Sequence, residues 1–166
     1  MKRIMTLMCV VAIAAAALAQ QAPLKRVYDE TADRTAQIAA AQAQAADDGR
    51  FVICQVGGNW CKWCLRLAAF IDADAEIREL VDRNFIYLHV NYNPRDNSPE
   101  RKAADEALLG KLGHPERFGF PVLVVLDAKG NVLHIQDSSL LESGEGYDRD
   151  KLIRFLTNWT PAAVNR

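Results

Sequence analysis

The chain has 166 residues, half of them hydrophobic and a quarter charged, with a formal net charge of −1. That is the length of one domain, with enough apolar material for a sizeable core. The near-neutral balance argues against nucleic acid or an anionic membrane surface as partner.

Residues 1–19 read as a leader, not as part of the fold. Lys2 and Arg3 are followed by an almost unbroken apolar run, Ile4 to Ala17, and by Ala17-Leu18-Ala19 before Gln20. A basic start, an apolar stretch and a small-x-small cleavage site make a secretory signal peptide. The run is shorter than the roughly 20 residues a spanning helix needs, so no stable membrane insertion is expected after cleavage. Cys9 lies inside this run and is read as passive. The mature chain then keeps Cys54, Cys61 and Cys64. Export implies an oxidising compartment, the periplasm of a Gram-negative envelope or the outside of the cell.

Residues 20–26 read as a flexible mature N-terminus, and residues 27–166 as the domain. From Asp29 to Asp47 an Ala- and Gln-rich stretch without Gly or Pro predicts a long helix, ended by Gly49. Phe51 to Val56 predicts a buried strand, broken by Gly57-Gly58. A helix is expected from Lys62 to Ile71, interrupted at Asp72-Ala73-Asp74, with Asp74 capping a second stretch, Ala75 to Asp82. Phe85 to Asn91 predicts a strand, and Tyr92 to Pro99 a polar loop. Ser98 and Pro99 then start a helix to Leu112. After a loop, Gly113 to Gly119, Pro121 to Leu126 and Val132 to Gln136 predict an antiparallel pair joined by the turn Asp127 to Asn131. Ser138 to Gly146 reads as a loop, and Asp148 caps a last helix to Trp159, stopped before Pro161. Strands alternating with helices and ending in a hairpin give an α/β fold, a mixed four-stranded sheet with helices on both faces.

The chemistry gathers in Gly57-Gly58-Asn59-Trp60-Cys61-Lys62-Trp63-Cys64. Two cysteines two residues apart at a strand-to-helix turn make a thiol–disulfide site. Cys61 falls at the helix N-terminus, where unpaired N–H groups and the helix dipole favour a thiolate. Cys64 follows one turn on, within reach, and can close the ring to release a captured partner.

The element order, Trp60-Cys61-Lys62-Trp63-Cys64 after the first strand and Gly119-Phe120-Pro121 before Val122-Leu123-Val124-Val125 together resemble the thioredoxin superfamily. Within it the chain is most similar to exported bacterial thioredoxin-like proteins with an Asn-Trp-Cys-x-x-Cys site. The resemblance covers roughly residues 27–160 and implies a three-layer α/β/α fold. It implies Cys61 as the exposed nucleophile, Cys64 as the buried resolving cysteine and Pro121 as a cis-proline facing them. It further implies substrate contacts from Trp60 and from the backbone of Phe120. Three features depart from familiar members. A buried acid in the first strand is replaced by Gln55, which carries no transferable proton. Lys62-Trp63 stands between the cysteines, Lys62 favouring the Cys61 thiolate. The stretch from Asn91 to Pro121 is long, and is expected to set an extra loop and helix beside the site.

Blander readings stand beside these. A loop as small as 61–64 constrains the unfolded chain little, so a purely structural disulfide has weak value. Zinc needs four ligands, and His89, His114 and His134 are scattered; haem attachment needs a His where Leu65 stands. Cys54, mid-strand, reads as a buried inert thiol. Trp63 is either a docking surface or a packed side chain. Phe118 and Phe120 are in part core, and Glu142, Glu145 and Asp148 form a solvated loop and a cap. The expectation is an exported thiol–disulfide oxidoreductase, needing no cofactor, that exchanges disulfides with envelope proteins and a redox partner protein. The alternatives are a non-catalytic envelope module that binds protein or peptide, and metal delivery through the two thiols.

Overall fold

A computed structural model of the protein describes residues 23–96 and 98–165. The expected signal peptide, its cleavage site and Cys9 lie outside the described residues. The centre is a four-stranded sheet in the order β2-β1-β3-β4. Its strands are β1 (Phe51–Gly57), β2 (Phe85–Asn91), β3 (Val122–Leu126) and β4 (Val132–Asp137). β1 lies parallel to β2 and antiparallel to β3, which pairs antiparallel with β4.

The three layers follow from the alternation of side chains along a strand. On β1, Phe51 and Ile53 point to the face covered by Leu67, Ile71, Ile77, Val81, Leu152 and Phe155. These come from α2 (Lys62–Ala73), α3 (Ala75–Asn84) and α5 (Arg149–Asn158). Val52, Cys54 and Val56 point the other way, to Ile38, Ala41, Leu108 and Leu112, on or just beyond α1 (Arg34–Asp48) and α4 (Pro99–Lys111). All seven residues of β1 are buried, which is why it reads as a near-continuous apolar run, broken only by Gln55, and not as an alternating one.

Capping decides the helix boundaries. α1 begins at Arg34 and not at Asp29, because Asp33 accepts from the N–H groups of Thr35 and Ala36. Asp29 spends its carboxylate on a local turn, accepting from Thr31 N at 2.8 Å, which competes with helix. Gly49, at φ 68°, ends α1. α2 continues through Asp72 and Ala73, and the break falls at Asp74, which caps α3 through Glu76 N and Ile77 N. The loop expected at Ser138 to Gly146 contains a 3-10 turn and a small hairpin, β5 (Glu142–Ser143) with β6 (Gly146–Tyr147). α5 ends at Asn158, before Pro161 as expected, but it is not the last helical turn. Pro161 opens a last turn, α6 (Pro161–Val164), capped by Thr160, since proline suits the first helical position. α4 itself packs in the α1 layer; the loops before and after it reach the site, through Tyr92 and Phe120.

One buried ion pair ties that layer to the sheet. Arg34 at the start of α1 pairs with Asp105 of α4, both buried. Arg34 also donates to the carbonyl of Asn91, the last residue of β2, at 3.3 Å. Removing one partner leaves the other as an uncompensated buried charge. Asp105→Ala is therefore expected to cost about 3 kcal/mol in urea unfolding, and the double change Arg34→Met/Asp105→Leu distinctly less.

Candidate active site

β1 ends and α2 begins at the site, and the turn between them is built by close approach. Gly57 pairs with Asn91 as the last residue of β1. A Cβ there would lie 2.5 Å from Cys64 Sγ, and one on Gly58 would lie 2.4 Å from the Trp60 indole nitrogen. Both are distances that no side chain tolerates, so the two glycines make room for the sulfur and the indole as well as ending the strand.

Cys61 and Cys64 form a disulfide. Cys61 is the N-cap of α2, and its sulfur accepts from the backbone N–H of Cys64 at 3.1 Å. The position expected to favour a thiolate thus holds a sulfur already placed as acceptor at the helix N-terminus. Cys64 is fully buried and Cys61 is 6% exposed, so a partner reaches the pair at Cys61.

The aromatic rim comes from distant segments. The Phe120–Pro121 bond is cis, and the Phe120 carbonyl lies 3.6 Å from Cys61 Sγ. Trp60, 36% exposed, packs edge-on to Phe120 with ring centres 5.7 Å apart. Its indole N–H donates to the Tyr92 carbonyl at 2.8 Å. The Tyr92 ring lies 5.1 Å from that of Phe120, and the Arg95 guanidinium sits 6.0 Å from the Trp60 ring. Tyr92 and Arg95 belong to the stretch read only as a polar loop. Phe118 is exposed, with Arg117 over its ring.

Lys62 is exposed, and a groove of about 780 Å³ runs past it from Leu24 and Asn59 to Glu145 and Tyr147. Trp63 is packed against Tyr147, 5.7 Å away and edge-on, with Arg66 over its ring at 4.9 Å. Cys54 is fully buried on the α1 face of the sheet, away from the disulfide, and burial pushes its thiol up to about 12. His89, His114 and His134 are not brought together, and among the described residues no group of three or more His, Cys, Asp or Glu could hold a metal ion.

Gln55 is fully buried beneath the pair. Its amide nitrogen donates to the Cys64 carbonyl at 3.0 Å and to the Tyr28 hydroxyl at 2.5 Å, and its amide oxygen accepts from the Tyr87 hydroxyl at 2.7 Å. Tyr28 comes from the segment before α1, which Asn59 straps to the site. The Asn59 side chain accepts from Val27 N and Tyr28 N and donates to the Tyr28 carbonyl at 2.8 Å. Sequence reasoning missed Tyr28, Tyr87 and Tyr92 as parts of the site, and the clamp made by Asn59. The Asn before Trp60 was the one available signal, and nothing marked it as a backbone clamp.

The fold and site define a thioredoxin-fold protein with a Trp-Cys-x-x-Cys turn facing a cis-proline. The thioredoxin-like family model matches residues 33–128, more than half of the chain, and the chain belongs to that family. No curated protein matches the sequence. Among solved structures the chain is similar to a disulphide isomerase from Xylella fastidiosa Temecula1, with a TM-score of 0.68 and 21% identity over 82% of this chain and 98% of that one. It is also similar to the DsbH oxidoreductase, at 0.53 and 21% over 90% and 94%. A third is the oxidised C-terminal domain of Neisseria meningitidis DsbD, at 0.50 and 23% over 76% and 96%. At these identities the likeness is one of fold.

Two outcomes are expected. Gly57→Ala should lose about 2 kcal/mol of stability in the oxidised protein through overpacking against Cys64. Gly146→Ala, where a Cβ meets nothing within 4 Å, should stay within about 0.5 kcal/mol in the same unfolding experiment. The second concerns His89, whose buried Nε2 has no partner and whose ring meets Tyr28 and Tyr87 edge-on. Burial lowers its pKa to about 4. The unfolded chain therefore binds a proton below about pH 6.5 that the folded chain resists. Stability contributed by neutral His89 is complete above that pH and falls, by about 2 kcal/mol, as pH drops toward 4. Urea titrations at pH 7.5 and 4.5 should show this loss, and His89→Leu should remove most of it.

Proposed function

We propose that the protein is an exported thiol–disulfide oxidoreductase that exchanges disulfides with protein partners of the cell envelope through Cys61 and Cys64. The observation that carries the reading is the Cys61 sulfur. It caps α2, accepts the Cys64 N–H and lies at the rim beside the Phe120 carbonyl. A partner segment lies against Trp60 and Pro121 and meets the backbone of Phe120, whose carbonyl lies beside Cys61 Sγ. In the reductive direction the Cys61 thiolate attacks a partner disulfide, forming a mixed disulfide and releasing one partner thiolate. Cys64 then attacks Cys61, the 61–64 bond re-forms, and the second partner sulfur leaves as a thiolate. The oxidative direction is the reverse, and electrons pass to or from a redox partner protein without a cofactor. Lys62 and Trp63 tune the couple, Lys62 through charge beside Cys61 and Trp63 by packing the first turn of α2 on Tyr147. Export rests on the leader pattern of residues 1–19, and cleavage leaves Gln20 as the first residue.

Insulin reduction with dithiothreitol tests the enzyme reading. Wild type should bring on turbidity at least about tenfold faster than Cys61→Ser or Cys64→Ser, since each substitution removes one of the two exchange steps. Cys64→Ser should in addition accumulate mixed disulfides with envelope proteins through Cys61. Equal turbidity rates for all three proteins, with no trapped species, would replace the enzyme by a binding module whose disulfide stays closed.

A further inference from the structure

We propose that the Tyr28 hydroxyl is the hydrogen-bond donor to the Cys64 sulfur when the 61–64 disulfide opens. The inference rests on the proposed exchange reaction only in that the disulfide must open. It starts from an accounting of protons around Gln55. The Cys64 carbonyl can only accept, so the Gln55 group 3.0 Å from it is the NH2. The same nitrogen is 2.5 Å from the Tyr28 oxygen, so that oxygen is an acceptor there too. The Gln55 oxygen is taken by the Tyr87 hydroxyl. Both ends of the amide are thus committed, and the Tyr28 proton points away from it.

Beside that hydroxyl is the space kept open by Gly57. A point one bond out from its Cα is 3.0 Å from the Tyr28 oxygen and 2.5 Å from Cys64 Sγ. The hydroxyl and the sulfur share this gap inside one buried cluster with Cys61 and Leu65. In the disulfide the sulfur is a weak acceptor. When an incoming thiolate attacks Cys61, a new S–S bond forms to the partner and the 61–64 bond breaks. Its electron pair stays on Cys64 Sγ, buried and negative. A buried charge without a donor is costly, and a charge-assisted hydrogen bond is about twice as strong as a neutral one. Tyr28 supplies that bond and keeps its own proton, because burial raises its pKa well above the ordinary tyrosine value. In the return step Cys64 attacks Cys61, the partner leaves as a thiolate, and the Tyr28 proton is again without a charged acceptor. The other titratable groups packed here are Cys61, Tyr87 and His89 behind Gln55 and Tyr28, and Tyr147, whose hydroxyl donates to the Trp63 carbonyl.

The test isolates one thiol. In the Cys61→Ser/Cys54→Ala protein, thiolate absorbance against pH reports Cys64 alone. Adding Tyr28→Phe keeps the ring and should raise the Cys64 midpoint by about one pH unit, a tenfold loss of thiolate at fixed lower pH. Tyr87→Phe, which removes a hydroxyl held by the same amide, should leave the midpoint in place. An unchanged midpoint in folded Tyr28→Phe, or an equal shift in Tyr87→Phe, overturns the proposal. A second measurement needs no change at Tyr28: in Cys61→Ser labelled with carbon-13 tyrosine, the Tyr28 Cζ resonance should move with the Cys64 midpoint. A resonance that stays fixed through that midpoint also overturns it. Neither readout depends on turnover, so a protein inactive on insulin would sink the exchange reading while leaving this bond to be decided.

Discussion

The structure turns on one polar side chain in an otherwise apolar place. β1 is buried along its whole length, and on its α2 face it carries Gln55 among Phe51 and Ile53. A buried amide without partners would cost more than any single apolar contact there gains. Gln55 meets the requirement by holding the Cys64 carbonyl, the Tyr28 hydroxyl and the Tyr87 hydroxyl at once. That joins four segments: the strap before α1, the central strand, the first turn of α2 and the edge strand β2. The position of the second sulfur over the sheet follows from it.

The two sulfurs sit in opposite electrostatic settings a single turn apart. Cys61 is at the rim, at the positive end of α2, where a negative sulfur is favoured by the helix dipole and by the Cys64 N–H already aimed at it. Cys64 is fully buried, where a negative sulfur is penalised by lost solvation. The proposed exchange uses this contrast, with Cys61 attacking and Cys64 re-forming the ring.

The rim is assembled by packing across the chain. Trp60 is held by the Tyr92 carbonyl and leans on Phe120, which stacks toward Tyr92. Gly58 is needed for that indole position, as Gly57 is for the sulfur. The loop after β2 and the cis-proline loop before β3 therefore meet at the site because β2 and β3 flank β1.

The fold was legible because it rests on local signals: apolar runs of strand length, caps at Asp74, Ser98 and Asp148, and Gly49 as a stop. The pair Cys61 and Cys64 was legible for the same reason, since a spacing of three on a helix start brings two sulfurs together whatever surrounds them. The misreading at Asp29 was also local, where a side chain chose a turn over a helix, and so was the turn missed at Pro161, where proline opens a last helical turn. The partners of the site were not legible. Tyr28, Tyr87 and Tyr92 sit in stretches whose patterns mark only an N-terminus, a strand and a loop. What the sequence alone determined was the order of elements and the pairing of the two sulfurs, because both depend on near neighbours in the chain. Only the tertiary structure decided which buried groups satisfy Gln55 and face Cys64, because hydrogen-bond partners of a buried group are chosen by what folding brings within about 3 Å, at any distance in sequence.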